Sequence, residues 1–247
     1  MQKDTYPVEL FTEVAPKYEF LNSLMTAGQD RKWREALLRA AQAALGENPL
    51  SILDLACGTG DVARLTASRW PAAMVVGSDP NEAMLEEAQK RAELEKKKNP
   101  QWLRIEWVIG RAEKIDQEEN KFDLITIAFG FRNVPAQERQ KALAEAHRVL
   151  RPGGVLAILE LGLPPKGAFH WLYRQLLLHV MPHFAGLFSP KKPYVYLSRS
   201  IVDFPSPDQV KLLFMQEGFL PFAPKPLSGG MSWVFIGRKP ANPVASL

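Results

Sequence analysis

The stretch that decides the fold is Ile52-Leu53-Asp54-Leu55-Ala56-Cys57-Gly58-Thr59-Gly60-Asp61, an apolar run with an acid followed by a glycine loop. A second apolar run, over residues 74–78, ends in Asp79, which lies 21 residues after Gly58. The glycines allow a sharp turn and a close approach of the backbone to a ligand. An acid at the end of the second strand can accept hydrogen bonds from both ribose hydroxyls. The pattern therefore predicts the opening strand–loop–helix–strand unit of a nucleoside-binding α/β domain.

The spacing within this loop favours one nucleoside over others. The order is acid-x-x-x-Gly-x-Gly, and no third glycine follows three residues after Gly60. Dinucleotide-binding loops carry that glycine, so the pattern favours S-adenosylmethionine (SAM) over a NAD-dependent oxidoreductase. Backbone amides where the helix starts near Asp61 could bind the SAM carboxylate. The alternative is a tight strand–helix turn without a ligand. The cofactor contacts predicted here are Asp54, Gly58, Thr59, Gly60 and Asp79.

Composition is that of an ordinary globular protein. The 247 residues suffice for one large domain, and 46% of them are apolar. The net charge of +4 argues for neither nucleic acid nor anionic lipid, and we expect no nucleic-acid partner. The oligomeric state is open, and a homodimer is compatible with the chain.

The sequence also bears on location. No apolar run reaches the roughly 18 residues that a spanning helix needs, and the polar start over residues 1–10 shows no signal peptide. A single cysteine, Cys57, fits a reducing compartment. We therefore expect a cytoplasmic protein, with a peripheral contact at the inner face of the membrane as an option. Cys57 could be a nucleophile, but a small residue packing beneath SAM is the favoured interpretation.

Strands and helices alternate from residue 51 to residue 160, which predicts a doubly wound, mostly parallel Rossmann-like α/β sheet. The predicted strands cover residues 51–55, 74–78, 104–108, 123–128, 155–160 and 233–236. The predicted helices cover residues 61–69, 81–98, 136–150 and 207–217, with Asn81 as an N-cap, and a further helix runs from residue 30 to a stop at Gly46.

We interpret the chain as a single domain over residues 1–247. A helical N-terminal cover over 1–46 precedes the nucleoside-binding core over 47–161. A helical insertion over 162–203 follows strand 5, and residues 204–238 complete the sheet. Residues 169–188 are apolar nearly all round, so they are either a greasy tunnel with membrane contact or an accessory helix packed on the core.

Two loops at the carboxyl ends of later strands offer further candidates. After the third strand, Arg111 either stacks on the adenine or points to solvent, and the Ala112 amide can contact the base. After the fourth strand, Arg132 and Asn133 are placed to meet a substrate. The alternative for Arg132 is a structural clamp with a nearby acid.

The four histidines give no metal-ligand spacing with cysteine or carboxylates, so we expect no metal site. His147 falls on a predicted helix and is interpreted as structural. His170, His179 and His183 lie in the insertion and are either proton acceptors near a buried ring or hydrogen-bonded packing residues.

Several segments resemble the ubiquinone/menaquinone biosynthesis C-methyltransferase family. They are residues 17–33, the segment Phe129-Gly130-Phe131-Arg132-Asn133-Val134, residues 148–160, and the late region Tyr196-Leu197-Ser198-Arg199-Ser200-Ile201 with Phe204-Pro205. The resemblance implies SAM contacts at Thr59, Asp79, Arg111-Ala112 and Ala128. Arg111 stands where the family usually has Asn, and Ala128 where it has Ser.

The family implies C-methylation of a membrane-embedded prenyl quinol, with a lean towards demethylmenaquinol over a benzoquinol. By this resemblance, Arg132 stabilises developing phenolate charge and Asn133 orients the quinol oxygen. Two alternatives stay open. One is methylation of another small aromatic or lipid acceptor, and the other is a non-catalytic SAM-binding member of a quinone biosynthesis complex.

Overall fold

The computed structural model describes residue 26 and residues 28–180 and 191–241. Eight strands of this part form one sheet in the order β3-β2-β1-β4-β5-β8-β6, with β7 also paired to β8. The first five strands are parallel, and β8 runs antiparallel to β5. The strands are β1 (Ser51–Leu55), β2 (Met74–Asp79), β3 (Glu106–Ile109), β4 (Phe122–Ala128), β5 (Leu150–Leu161), β6 (Leu220–Pro221), β7 (Lys225–Leu227) and β8 (Ser232–Arg238).

Helices cover both faces of the sheet. They are α1 (Asp30–Leu45), α2 (Asp61–Arg69), α3 (Glu82–Leu94), α4 (Arg139–Val149), α5 (Ala168–Gln175), α6 (Lys191–Val202) and α7 (Pro207–Gln216). Side chains alternate across the parallel strands, so Leu124 joins the core beneath α1 and α2 while Ile125 joins the core beneath α4 and α7. This two-layer burial is the reason for the long apolar runs in the sequence.

The predicted doubly wound sheet is confirmed, and so are several helix ends. The Asn81 side chain accepts a hydrogen bond from the Met84 amide at the start of α3, and Gly46 ends α1 in the left-handed region. The helix predicted to reach residue 98 ends earlier, at Leu94, and a 3-10 helix over Pro100–Arg104 leads into β3. The part of the predicted N-terminal helix before residue 26 lies outside the described residues.

The helix α6 lies in the insertion over 162–203 that was predicted to be helical, although the prolines there gave no bounds for it. Pro193 is the third residue of α6, and a proline in the first turn removes no intrahelical hydrogen bond. The paired strands β6 and β7 were missed, since both are too short to show a period. In the described part of the chain, no helix is long and apolar enough to cross a membrane.

Candidate SAM and substrate site

A pocket opens at the carboxyl ends of β1, β2 and β4, with about 630 Å³ of empty space that is partly open to solvent. The sheet order reverses here, because β1 pairs with β2 on one side and with β4 on the other. Open parallel sheets bind ligands at such a switch point. Of the residues predicted from the glycine loop, Asp54, Gly58, Thr59 and Asp79 line the pocket, and Ala128 and Asn133 line its other wall.

Asp79 is fixed at the end of β2. Its two carboxylate oxygens accept hydrogen bonds from the backbone amides of Gly58 at 2.8 Å and Asn81 at 2.9 Å. Burial raises the pKa of Asp79 to about 6, although the two amides lower it. The carboxylate is thus charged at neutral pH, and its remaining lone pairs suit a pair of ribose hydroxyls.

Asp54 carries an unsatisfied oxygen at the pocket. Its Oδ1 accepts a hydrogen bond from the Thr126 hydroxyl at 2.7 Å, while the buried Oδ2 has no hydrogen-bond partner among the described residues. Burial raises the pKa of Asp54 to about 7, and the Thr126 hydroxyl lowers it. A buried acceptor without a partner is costly. An ammonium group such as that of SAM would satisfy this oxygen, so the residues present fit the cofactor.

Arg34 is a pocket residue that the sequence analysis missed. It extends from α1, pairs with Asp30 on its own helix, and contacts Asp61 at 3.0 Å. Its guanidinium also stacks over the Phe129 ring, 5.4 Å from the centroid. The spacing of Asp30 and Arg34 by four residues was the available signal. The Arg34 guanidinium is held between the Asp30 and Asp61 carboxylates at the pocket wall.

The two glycines of the loop lie in different surroundings, and the predicted cofactor contact at Gly60 stays a prediction. Gly58 has φ +54° and faces open space in the pocket, as expected for an approach to a ligand. Gly60 does not line the pocket. A Cβ built on Gly60 would lie 2.4 Å from the Trp107 ring, so this glycine lets the loop pack against β3. Cys57 lines the pocket, and burial raises the pKa of its thiol well above the ordinary value.

The turn after β3 does not reach the pocket. The Arg111 side chain is 47% exposed and pairs with Glu113, which corresponds to the solvent-facing alternative. Ala112 is buried in the core beneath α4 and α7. Neither residue lines the pocket. The predicted adenine contact through the Ala112 amide stays a prediction.

The loop after β4 enters the pocket through a strained backbone. Phe129 has φ +59° and Ala56, on the facing loop, has φ +51°, although neither is glycine. Both line the pocket. Left-handed backbone of this kind persists only where the surroundings hold it in place. Gly130 is required between them, since a Cβ there would lie 2.5 Å from the Ala56 Cβ.

Arg132 supplies part of that support and does not line the pocket, so the structure corresponds to the clamp alternative. Its Nη1 donates hydrogen bonds to the Phe129 carbonyl at 2.5 Å and to Glu160 Oε1 at 2.6 Å. Glu160 Oε2 accepts from the Arg132 backbone amide at 3.0 Å. The guanidinium charge is therefore matched by a fully buried carboxylate, and Arg132 acts on the site by holding Phe129.

The histidines of the described residues lie away from the pocket. His147 packs edge-on against Phe219 with centroids 5.0 Å apart, and burial lowers its pKa. Its structural interpretation fits this packing. His170 Nδ1 lies 2.7 Å from the Pro164 carbonyl oxygen, which is a packing contact. His179 does not line the pocket either, and His183 lies outside the described residues.

The parallel sheet, the acid at the end of β2 and the glycine loop define a class I SAM-dependent methyltransferase. The fold agrees with the solved structure of a SAM-dependent methyltransferase from Thermotoga maritima, which matches with a TM-score of 0.58 and 18% identity over 94% of this chain and 98% of that one. The cofactor is S-adenosylmethionine.

The sequence identifies the family within this class. The model of the ubiE/COQ5 methyltransferase family matches residues 1–239, and the chain belongs to that family. The demethylmenaquinone methyltransferase of Thermus thermophilus is 40% identical over 232 residues, covering 94% of this chain and 100% of that protein. The ubiquinone/menaquinone biosynthesis C-methyltransferase UbiE of Geotalea uraniireducens is 38% identical, covering 94% and 95%.

Proposed function

We propose that this methyltransferase acts on a ring carbon of a prenylated quinol, with demethylmenaquinol as its substrate. The observation that carries the proposal is the match to a demethylmenaquinone methyltransferase over that protein's whole length at 40% identity. SAM, when bound, supplies an electrophilic methyl group on a positively charged sulfur. The ring carbon forms the new bond, the methyl–sulfur bond breaks onto sulfur, and the ring loses a proton.

The protein's part in this reaction is positioning. Asn133 lines the pocket and is 7% exposed, so its side chain can hold an acceptor oxygen beside the cofactor. Arg132 holds the Phe129 carbonyl and thereby the wall against which both ligands pack. The Arg132–Glu160 pair is itself buried, with side chains 4% and 0% exposed.

The test is methyl transfer from labelled SAM to demethylmenaquinol and to a demethylated benzoquinol, each kept reduced with dithionite. The same quinones without reductant are the matched control, since only the reduced ring is rich enough in electrons to attack. Product from the naphthoquinol alone supports the proposal. Product from the benzoquinol alone would make the benzoquinol the substrate instead. No product from either, with SAM binding intact by calorimetry, would refute the proposed function.

We also propose that α5 contacts the membrane in which such a substrate resides. Four large apolar side chains on and just after this helix are 44–64% exposed, namely Phe169, Trp171, Leu172 and Leu176. An exposed cluster of this kind is typical of an interfacial helix. Leu177, in contrast, is fully buried in the core, so only part of the predicted 169–188 segment is available. Residues 181–188 lie outside the described residues.

Sedimentation with anionic liposomes tests the membrane contact. We expect Trp171→Glu and Leu172→Glu to weaken binding, because each places a charge in the interface. Leu212→Glu is the matched control, since Leu212 is an apolar residue that is 55% exposed on a different helix, α7. Equal binding by all three variants and the wild type would exclude α5 as the contact.

A further inference from the structure

Hydrogen bonds hold the backbone on both sides of Asn133. Its amide donates to the Gly130 carbonyl at 3.0 Å. Arg139, at the start of α4, donates to the carbonyls of Arg132 and Val134, each at 3.2 Å. The Val134 amide donates to the Phe131 carbonyl at 3.2 Å, so the peptide groups before and after Asn133 are both held, and its side-chain torsions remain to be set.

The side chain of Tyr196, on helix α6, contacts the Asn133 side-chain amide. The helix α6 packs against the 3-10 turn Phe131–Asn133, and the Tyr196 hydroxyl donates to Asn133 Oδ1 at 3.1 Å. On the opposite side, Asn133 Nδ2 lies 3.5 Å from the Phe129 carbonyl, at the outer limit of a hydrogen bond. The Phe129 carbonyl can only accept, so it keeps Nδ2 on its side, and the tyrosine hydroxyl makes the shorter of the two contacts by donating to Oδ1.

We infer that Tyr196 is a positioning residue for methyl transfer, which locks the Asn133 amide so that its Nδ2 hydrogens face the acceptor. The tyrosine hydroxyl engages the amide oxygen and the Phe129 carbonyl faces one Nδ2 hydrogen, so the second Nδ2 hydrogen is the donor offered to an acceptor oxygen. Asn133 thus donates to the oxygen on which negative charge grows as the ring attacks, and it takes no proton from it. The inference rests on the proposed function in one respect, that the acceptor oxygen lies beside Asn133.

Tyr196 belongs to the late segment that the family resemblance marks and that neither cofactor binding nor the pocket lining uses. Tyr196 does not line the pocket, so it acts on the reaction through a residue that does. Asn133 is that residue. The tyrosine does this from α6, which lies within the insertion over residues 162–203.

A double-mutant cycle in turnover tests the lock. Tyr196→Phe removes only the hydroxyl, and we expect kcat to fall about fivefold, the size expected for one neutral hydrogen bond. The KM for quinol and the Kd for SAM should change by less than about twofold, because only orientation is lost. In an Asn133→Ala background the same substitution should have no further effect. A kcat of Tyr196→Phe equal to that of the wild type, or the same loss in both backgrounds, would overturn the inference.

A second substitution tests whether the Asn133 side chain donates to the substrate oxygen or accepts from it. Asn133→Asp keeps an oxygen for the tyrosine hydroxyl but replaces the Nδ2 donor with a second acceptor. We expect its turnover to fall as far as that of Asn133→Ala. Turnover at the wild-type level would show that Asn133 accepts from the substrate, and would overturn the orientation stated above.

A readout without substrate separates this inference from the proposed function. In nitrogen-15 labelled protein, Tyr196→Phe should shift the side-chain amide signal of Asn133. Tyr173→Phe is the matched control, since Tyr173 is a buried tyrosine of α5 that does not line the pocket. If the wild type turned over no quinol but the signal shifted, the proposed function would fail while the lock would stand. A signal unmoved by Tyr196→Phe would overturn the lock.

Discussion

Two ion pairs of equal length in this protein differ strongly in burial, which permits a comparative test of the clamp below the site; Arg151 of the exposed pair also contacts Asp123. Arg132 Nη1 and Glu160 Oε1 lie 2.6 Å apart, with side chains 4% and 0% exposed. Arg151 Nη2 and Glu47 Oε1 also lie 2.6 Å apart, but with side chains 37% and 62% exposed. Glu160→Gln and Glu47→Gln remove one negative charge from each pair at nearly constant shape.

We expect the two substitutions to lower the free energy of unfolding by amounts that differ several-fold. Leaving a buried charge without its partner costs about 3–5 kcal/mol, whereas an exposed pair is worth about 0–1 kcal/mol. Glu160 has a further role, because its Oε1 also accepts from the Leu161 amide and its Oε2 from the Arg132 amide. An amide nitrogen in place of either oxygen would face a backbone N–H. Against a typical stability of about 5–15 kcal/mol, the buried substitution is severe.

Equilibrium urea denaturation followed by tryptophan fluorescence and by circular dichroism measures both free energies of unfolding. Coincident transitions by the two probes are required before the values are compared. The expected loss is at least about 3 kcal/mol for Glu160→Gln and below about 1 kcal/mol for Glu47→Gln. Equal losses for the two variants would refute the reasoning that burial, and not pairing distance, determines how much the ion pair contributes to the free energy of unfolding.

Three shorter predictions concern the SAM loop and its neighbours. Gly60→Ala should destabilise more than Gly58→Ala in the same denaturation assay, because both pay about 1–2 kcal/mol for a left-handed backbone but only Gly60 places its Cβ against Trp107. SAM affinity measured by calorimetry should fall as the pH drops through about 6, where Asp79 is protonated, and Asp79→Asn should bind weakly with no such dependence on this group. The sign for stability is opposite: the folded pKa of Asp79 lies above its usual 3.8, so its contribution is present at low pH and is lost as the pH rises through about 6. Arg111→Ala should change SAM affinity by less than about twofold, since that side chain is paired with Glu113 in solvent, and a larger loss would place Arg111 at the adenine.

The local sequence was sufficient for the parallel core. Apolar runs, the acid at the end of β2 and the spacing of Gly58 are signals within one strand–loop–helix unit, and the structure places them where that unit predicts. The same holds for the N-cap at Asn81, because its side chain bonds an amide three residues away. Such interactions join residues that are close in sequence, so the sequence alone is enough to predict them.

Roles that depend on distant partners could not be predicted in the same way. The sequence offered two interpretations of Arg132, and only the approach of Glu160 on β5, 28 residues away, favours the clamp. The packing of Gly60 against Trp107 of β3 is likewise visible only in the structure. Asn133 and Tyr196 are 63 residues apart, and no periodicity links them.

The sequence by itself determined that this chain forms a doubly wound sheet, binds SAM and belongs to a methyltransferase family, because patterning, turn chemistry and motif spacing are local. The tertiary structure alone decided which polar groups face the pocket and which support it from behind. The physical reason is that a buried charge or amide must find a partner, and the partner is supplied by whichever element the fold brings near.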